Sequence, residues 1–377
     1  MARGVAARAD KRSHIDMKRR HFLTGAAGAA AAASSVFSPL AIAKNKTFNL
    51  AMVTSWPTSL DTLFGTAQYI GRAIEAATDG DVTVEVFPAG EQVGGLEVFD
   101  SVASGAFALG HTASYYYIGQ NPAHAFFTAM PFGLTGMQQN AWLQSGGGVD
   151  LWNELNARSN LIAFTAGNTG GQTGGWFNKE INSPADLKGL KMRFPGLGGQ
   201  VMARAGVNIQ NLPGGQVYFA LDRGTIDAAD WVSPYDDEIL KLHEAAKYYY
   251  MPSWAEPGAT LGLYANLDIY KDLPADIREI IQTVARAANE RMFSEYMAKN
   301  GPALQRLIDG GAEVRTFPAE VLQVLEKYTD EIQAEHAEQD KFYARVYEQW
   351  TGFRDSVRTW TNASEYRYLR YVNGDLA

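Results

Sequence analysis

The sequence predicts an α/β protein made of two units, each with strands and helices in alternation. Three observations predict it. A β-α-β-α-β pattern of hydrophobic spacing opens at Thr47, which implies a parallel sheet with helices on its faces. A second run of alternating elements starts at Asn160. A long amphipathic stretch, Leu273 to Gly311, follows that second run. The chain has 377 residues, 46% apolar and 20% charged, which suits two domains or one large one with an ample core.

Thr47 to Trp56 (TFNLAMVTSW) alternates well enough for an opening strand. Leu63, Ala67, Ile70, Ile74 and Ala77 then recur at helical spacing, and Gly80 supplies the stop. Val82, Val84 and Val86 alternate along a second strand, and LEVFDSVASGAFALGHTAS is a helix running into a short buried strand. In the second unit LIAFTAG is a buried strand. Ser183 caps a short helix with Pro184 at its first position, and the strand LKMRF follows. GGQVMARAG reads as a helix and VNIQNLP as a strand. GGQVYFALDRG is a helix ending near Gly224, with a strand from Ala228 to Val232. ATLGLYANLDIY returns as a strand. The stretch from Leu273 is one helix or two, with Ile277, Ile280, Ile281, Val284 and Ala288 on one side. After the strand-like EVRTFP, Ala319 to Trp360 is helical and rich in aromatics.

The N-terminus has the anatomy of an export signal over residues 1–43. Lys18, Arg19 and Arg20 precede a weakly apolar, Ala-rich stretch that ends small-x-small at Ala41-Ile42-Ala43. The pair Arg19-Arg20 before Phe22-Leu23 resembles a twin-arginine signal, which expects a periplasmic protein. The signal carries a net +5, so its removal takes the chain from −8 to −13. So acidic a surface argues against nucleic acid as a partner. There is no cysteine, which excludes thiolate catalysis and Cys-ligated metal sites.

Four features stand out at the ends of predicted strands in the second unit, where open α/β sheets bind ligands. The first is GNTGGQTGGW, Gly167 to Trp176, which sets five glycines around Gln172. It lacks the Lys-Ser/Thr ending of a phosphate loop, and the glycines alone read as a tight strand-to-strand turn. The second is Arg193 in LKMRFPG. Alone it reads as a surface charge, yet a strand that breaks at Pro195-Gly196 would aim its fork at a carboxylate. The third and fourth are Asp230 beside Trp231 and Glu256 near Trp254. Each alone reads as a solvated loop acid. In an aromatic setting an acid needs a partner or a cation.

FPAGEQVGG (Phe87 to Gly95), LKGLKMRFPG (Leu187 to Gly196), DAADWVSP (Asp227 to Pro234) and the helix after LPADIRE resemble the DctP-like substrate-binding proteins of tripartite ATP-independent periplasmic (TRAP) transporters. The resemblance runs from about residue 46 to 375. GGQTGGW, DWVSP and WAEPG together resemble the branch that binds 2-oxo or 2-hydroxy monocarboxylates with a cation. The resemblance implies a two-lobed periplasmic binding protein fold with a ligand cleft between the lobes, a long lobe-spanning helix and a helical C-terminal extension. By it, residues 44–166 with 260–318 form the first lobe, 167–259 the second, and 319–377 a dimerisation segment. Arg193 would pair with the substrate carboxylate, with Gln172, Trp231, Asn168 and Tyr116 as further substrate-binding residues. The side chains of Gln172, Asp230 or Glu256 and the Trp231 carbonyl would hold Na⁺ or Ca²⁺. The implied partners are a small organic acid anion, the TRAP membrane subunits and a second copy of the chain.

The charges agree with that assignment. Two acids near an anion's arginine repel the anion, and a cation between them removes the conflict. The competing reading is a carboxylate-dependent periplasmic metal enzyme, but the histidines show no metal-ligand spacing and no G-x-S-x-G elbow appears. For the C-terminal segment, Leu325, Tyr328, Ile332, Phe342, Val346, Phe353, Val357 and Trp360 form an apolar stripe. That stripe is expected to pair two chains, the bland alternative being that it folds back over its own lobes.

Overall fold

The computed structural model describes residues 47–375. The export signal expected over 1–43 lies outside the described residues. Two sheets organise the fold. The first takes β1 (Phe48–Thr54), β2 (Val82–Phe87), β3 (Leu109–Thr112), β4 (Leu161–Asn168) and β10 (Thr260–Asn266); the second takes β5 (Gly175–Phe177), β6 (Lys191–Arg193), β7 (Asn208–Gln210), β8 (Ala228–Ala229), β9 (Tyr248–Met251) and β11 (Glu313–Thr316). Their orders are β2-β1-β3-β10-β4 and β11-β9-β5-β8-β6-β7. β1 runs parallel to β2 and β3, as the opening β-α-β-α-β spacing requires. β10 is antiparallel to both its neighbours, so the first sheet is mixed. β8 is two residues long and stops before Asp230, shorter than the strand expected through Val232.

The chain passes between the sheets three times: after β4, after β9 and before β11. The glycine stretch is the first of these passages, neither a turn within one sheet nor an open linker. Its backbone is tied down along its length. Thr169 donates to the Ala259 carbonyl (2.9 Å), Gln172 to Glu256 (3.1 Å), Thr173 to Val232 (3.1 Å) and Gly174 to Tyr250 (2.7 Å). Gly175 needs to be glycine because its φ is +101° and a Cβ there would lie 2.8 Å from the Ala229 carbonyl oxygen.

The stretch from Leu273 forms one helix, Ala275–Asp309, with Pro302 inside it. Its buried side carries Ile277, Ile281, Val284, Ala288, Met292, Tyr296 and Leu307, at the spacing that lays one face on a core. After it, β11 pairs in parallel with β9 of the second sheet. The expected assignment of 260–318 to the first lobe therefore fails at this strand. A four-residue strand beside an open edge is placed by that edge, not by its position in the chain.

The C-terminal stripe divides in two. Helix Ala319–Gln339 and most of helix Lys341–Ala363 fold back on the body. Leu325, Ile332, Phe342, Tyr343, Val346 and Trp350 are buried in one core cluster with Phe126, Trp142 and Phe194. Polar ties fix the same helices: Asn121 to Asp340 (2.7 Å), Trp142 to Gln349 (2.7 Å) and Arg204 in a two-pronged pair with Glu335. Beyond them Trp360 and, on helix Glu365–Val372, Tyr366, Tyr368, Leu369, Tyr371 and Val372 are exposed. Among the described residues no helix is long and apolar enough to cross a membrane.

Candidate ligand and cation site

Arg193 ends β6, whose neighbours Met192 and Phe194 are buried in the second unit's core. β6 runs parallel to β8 with Arg193 opposite Ala229, so Asp230 comes one residue past that pair, at the same sheet end. The guanidinium is 1% exposed. Its Nε donates to the Leu212 carbonyl (3.2 Å) and its Nη1 to the Asp230 carbonyl (2.6 Å), with Asp230 Oδ2 at 3.5 Å. The Trp231 ring lies 4.8 Å from the guanidinium carbon. Those contacts fix the fork's direction before any ligand arrives.

Glu256 and Gln172 come from the two passages between the sheets and are adjacent because Gln172 donates its N–H to the Glu256 carbonyl. From the first sheet, the turn Ser114–Tyr117 after β3 brings Tyr115 and Tyr116, their rings stacked at 5.0 Å. Gly196, with φ of +65°, lets β6's end close on Tyr115, since a Cβ would sit 2.4 Å from that ring. Gln172, Tyr115 and Tyr116 line a narrow cavity, with Asp230 and Glu256 buried outside its lining. Arg193, Gln172, Thr169 and Trp231 stand on one part of its wall with the two tyrosines, and Trp56, Leu63, Val232 and Leu261 form the apolar remainder.

The electrostatics are those of acids in want of a counter-charge. Burial, then the charge of Glu256, holds the Asp230 carboxyl well above the usual carboxylate range, with Arg193 opposing. Burial pushes Glu256 up to about 8, against the pull of Arg193, Tyr115 and Gln172. Both oxygens of Asp230, both of Glu256 and Oε1 of Gln172 are buried with no hydrogen-bond partner. Buried polar atoms are rarely left so. With the two acids ionised, these five accept only, and a set of carboxylate and amide oxygens is what a hard cation takes. Among the described residues no three of His, Asp and Glu are grouped to hold a metal by themselves. A cation here would need the amide, a backbone carbonyl and oxygens of its co-ligand.

The structure thus brings together Arg193, Gln172, Trp231, Tyr116, Asp230 and Glu256. It does not bring Asn168 into the cavity. Its Nδ2 donates to the Gly136 carbonyl (3.0 Å) and Asn140 Oδ1 (2.8 Å), and its Oδ1 accepts from Gly170 N–H (2.8 Å). Both its amide hydrogens and its amide oxygen are engaged in anchoring the start of the glycine passage. The sequence reading missed Tyr115 and Trp56. Both follow the carboxyl end of a first-sheet strand, the signal that would have found them.

Two lobes closing on a charged cavity define a solute-binding protein. Residues 52–340 match the family of bacterial extracellular solute-binding proteins, family 7 (DctP). The chain belongs to this family, the DctP-type solute-binding proteins of TRAP transporters, whose members bind and hand over solutes and are not enzymes. It is 49% identical to the monocarboxylate 2-oxoacid-binding periplasmic protein of Nostoc sp., over 85% of this chain and 88% of that one. It is 38% identical to a TRAP transporter solute-binding protein from Bordetella bronchiseptica, a mixed-occupancy dimer with copurified calcium and picolinate. The coverage is 88% and 99%, and the TM-score is 0.86. It is 36% identical to one from Pseudoalteromonas atlantica with bound sodium and pyruvate (86% and 99% covered, TM-score 0.84).

Proposed function

We propose that this chain is the solute-capturing component of a TRAP transporter and that it takes up a small 2-oxo or 2-hydroxy monocarboxylate, pyruvate- or lactate-like, together with Na⁺ or Ca²⁺. The observation that carries this is the set of five buried oxygens of Gln172, Asp230 and Glu256 that lack a hydrogen-bond partner, beside the preset guanidinium of Arg193. Arg193 pairs with the substrate carboxylate. The cation sits among the oxygens and the Trp231 carbonyl, and the substrate chelates it through a carboxylate oxygen and the adjacent oxo or hydroxyl oxygen. Tyr116 and Tyr115 close the site from the first sheet. The solutes of the Nostoc, Bordetella and Pseudoalteromonas proteins support this chemistry.

On the same reading the protein works in the periplasm. The relative's name supports that compartment, and Arg19-Arg20 supports export by the twin-arginine route. The lobes follow the two sheets, the captured acid passes to the TRAP membrane subunits, and two chains pair through the exposed end of the tail. Titrating the mature protein with pyruvate in a calorimeter, before and after exhaustive chelation, tests the proposal. Tight binding that falls on chelation and returns with Ca²⁺ or Na⁺ is expected. No heat with any 2-oxo or 2-hydroxy acid, cation present, overturns it.

A further inference from the structure

The site's apolar wall is held by a residue that touches no part of the proposed ligand set. His111 lies on β3 with its ring fully buried. Its Nδ1 accepts from the indole Nε1 of Trp56 (2.7 Å), and its Nε2 meets the Ala166 carbonyl at 3.1 Å. The two partners settle the proton between them. An indole N–H can only donate and a carbonyl can only accept, so Nδ1 is bare and Nε2 carries the hydrogen. The Trp56 ring stands edge-on to the imidazole, centroids 5.9 Å apart.

Each end of this chain of bonds bears on the cavity. Trp56 follows β1 and lines the cavity directly. Ala166 lies on β4, where the pairing with β10 slips: Gly262 faces Thr165 and Leu261 faces Gly167, so Ala166 is passed over as a bulge. Leu261, opposite the bulge, is the next apolar wall residue. Bulges bend a strand and re-aim the side chains beside it. The imidazole therefore ties the end of β1 to a bulge on β4, reaching across β10, and sets two parts of one wall against each other.

We infer that His111 is a positioning residue that fixes the Trp56 wall against the β4 bulge and so limits the length of the chain on the acid the site accepts. The inference rests on the proposed 2-oxo acid function. Trp56 stands in the apolar wall, so its position sets the room left for the acid's carbon chain beyond the groups that take the carboxylate and the oxo oxygen. With Trp56 freed, the wall yields and the longer acid gains relative to pyruvate.

The test compares affinities for pyruvate and 2-oxohexanoate, with cation present, in the wild type, His111→Gln and His111→Asn. The Gln amide still reaches toward Ala166 but offers no acceptor where Nδ1 stood. The Asn oxygen stands near Nδ1 and still accepts from Trp56. The preference for pyruvate is expected to fall about tenfold in His111→Gln, the scale on which an apolar pocket discriminates a methylene, and to return toward wild type in His111→Asn. If His111→Gln does not purify folded, His111→Leu, which keeps the bulk and removes the acceptor for the Trp56 indole, is read in its place with the same expected fall. A preference that stays within about twofold of wild type overturns the inference, even if both affinities drop together, because general loosening of the fold moves both acids alike. A wild type that binds neither acid overturns the proposed function as well. One that binds pyruvate while the preference stays unmoved overturns this inference alone.

Discussion

At the scale of single residues, Arg193 has the sharpest role. Its guanidinium is aimed by the carbonyls of Leu212 and Asp230 and backed by Trp231. On the proposed reading, Arg193→Ala removes a buried charge pair with the substrate, and it takes from Asp230 and Glu256 the positive charge that opposes their burial. The expected loss of pyruvate affinity is about 2–5 kcal/mol, or about 30- to several-thousand-fold. Calorimetry decides it, with a melting curve to show the variant is folded. An affinity within threefold of wild type would remove the arginine from the carboxylate's role. The acids carry a second prediction. If Asp230 and Glu256 hold the proposed cation, Asp230→Asn and Glu256→Gln should each weaken pyruvate binding and raise the Ca²⁺ or Na⁺ concentration needed to support it. Binding indifferent to both changes and to chelation would leave a plain anion site.

At the scale of elements, the start of the opening helix Leu63–Ala77 is bolted to the second unit through helix Pro234–Ile239. Thr62 donates to Asp236 Oδ1 (2.6 Å), while Tyr296 of the long helix donates to Oδ2 (2.6 Å). Beside them Tyr235 and Lys299 both reach Asp61 Oδ2, at 3.0 and 3.1 Å. Burial pushes Asp236 up to about 7 against its two hydroxyl donors, with Asp237 and Asp61 adding repulsion. The folded value lies above the unfolded one near 3.8. The group therefore favours the folded state most where it is protonated, and that contribution is lost as pH rises through the interval to about 7. Asp236→Asn, neutral throughout, should give a flatter melting temperature from pH 4 to 7. Asp237, pushed up to about 6 by its own burial, leaves some slope in place. Scanning calorimetry across that range checks it, and a variant with the wild-type slope would show that Asp236 does not titrate there.

At the scale of the whole molecule, the tail is two things joined end to end. Its first part is core: Leu325, Tyr343, Val346 and Trp350 are buried, and losing even one large buried side chain costs about 3–5 kcal/mol against a typical total of about 5–15. Its last part presents an exposed face of Trp360, Tyr366, Tyr368, Leu369 and Tyr371. Exposed aromatic side chains of this number suit an interaction site, and on the proposed reading a second copy covers them. Truncation after Pro318 is therefore expected to unfold the protein. Truncation after Ala363 is expected to leave the melting temperature within a few degrees and the pyruvate affinity unchanged, while light scattering shifts from two chains to one. Full-length mature protein with the mass of one chain at micromolar concentration would sink the dimer.

The sequence by itself determined the α/β class and a long helical stretch from Leu273, and it singled out Arg193, Gln172, Asp230 and Glu256 as candidates to which the family resemblance lent a role. Each of these has a local cause. Periodicity marks the elements, and a strand that breaks at Pro195-Gly196 or runs into Asp230-Trp231 puts a charged residue at a sheet end, where ligands bind. Tertiary structure decided the rest. Asn168 sits in the same glycine stretch as Gln172, yet its amide goes to Gly136 and Asn140, a choice made by what folds beside it. Trp56, Tyr115 and His111 belong to the site only because the chain crosses between sheets and brings β1 and β3 against β6 and β8. β11 joins the second sheet because an edge of β9 stood open there. The apolar stripe of the tail looks uniform in sequence, and only the surface of the body decides which half it covers. Local pattern reports what a residue is able to do; which neighbour satisfies it depends on contacts between residues well beyond one element's length apart, and no periodicity encodes those.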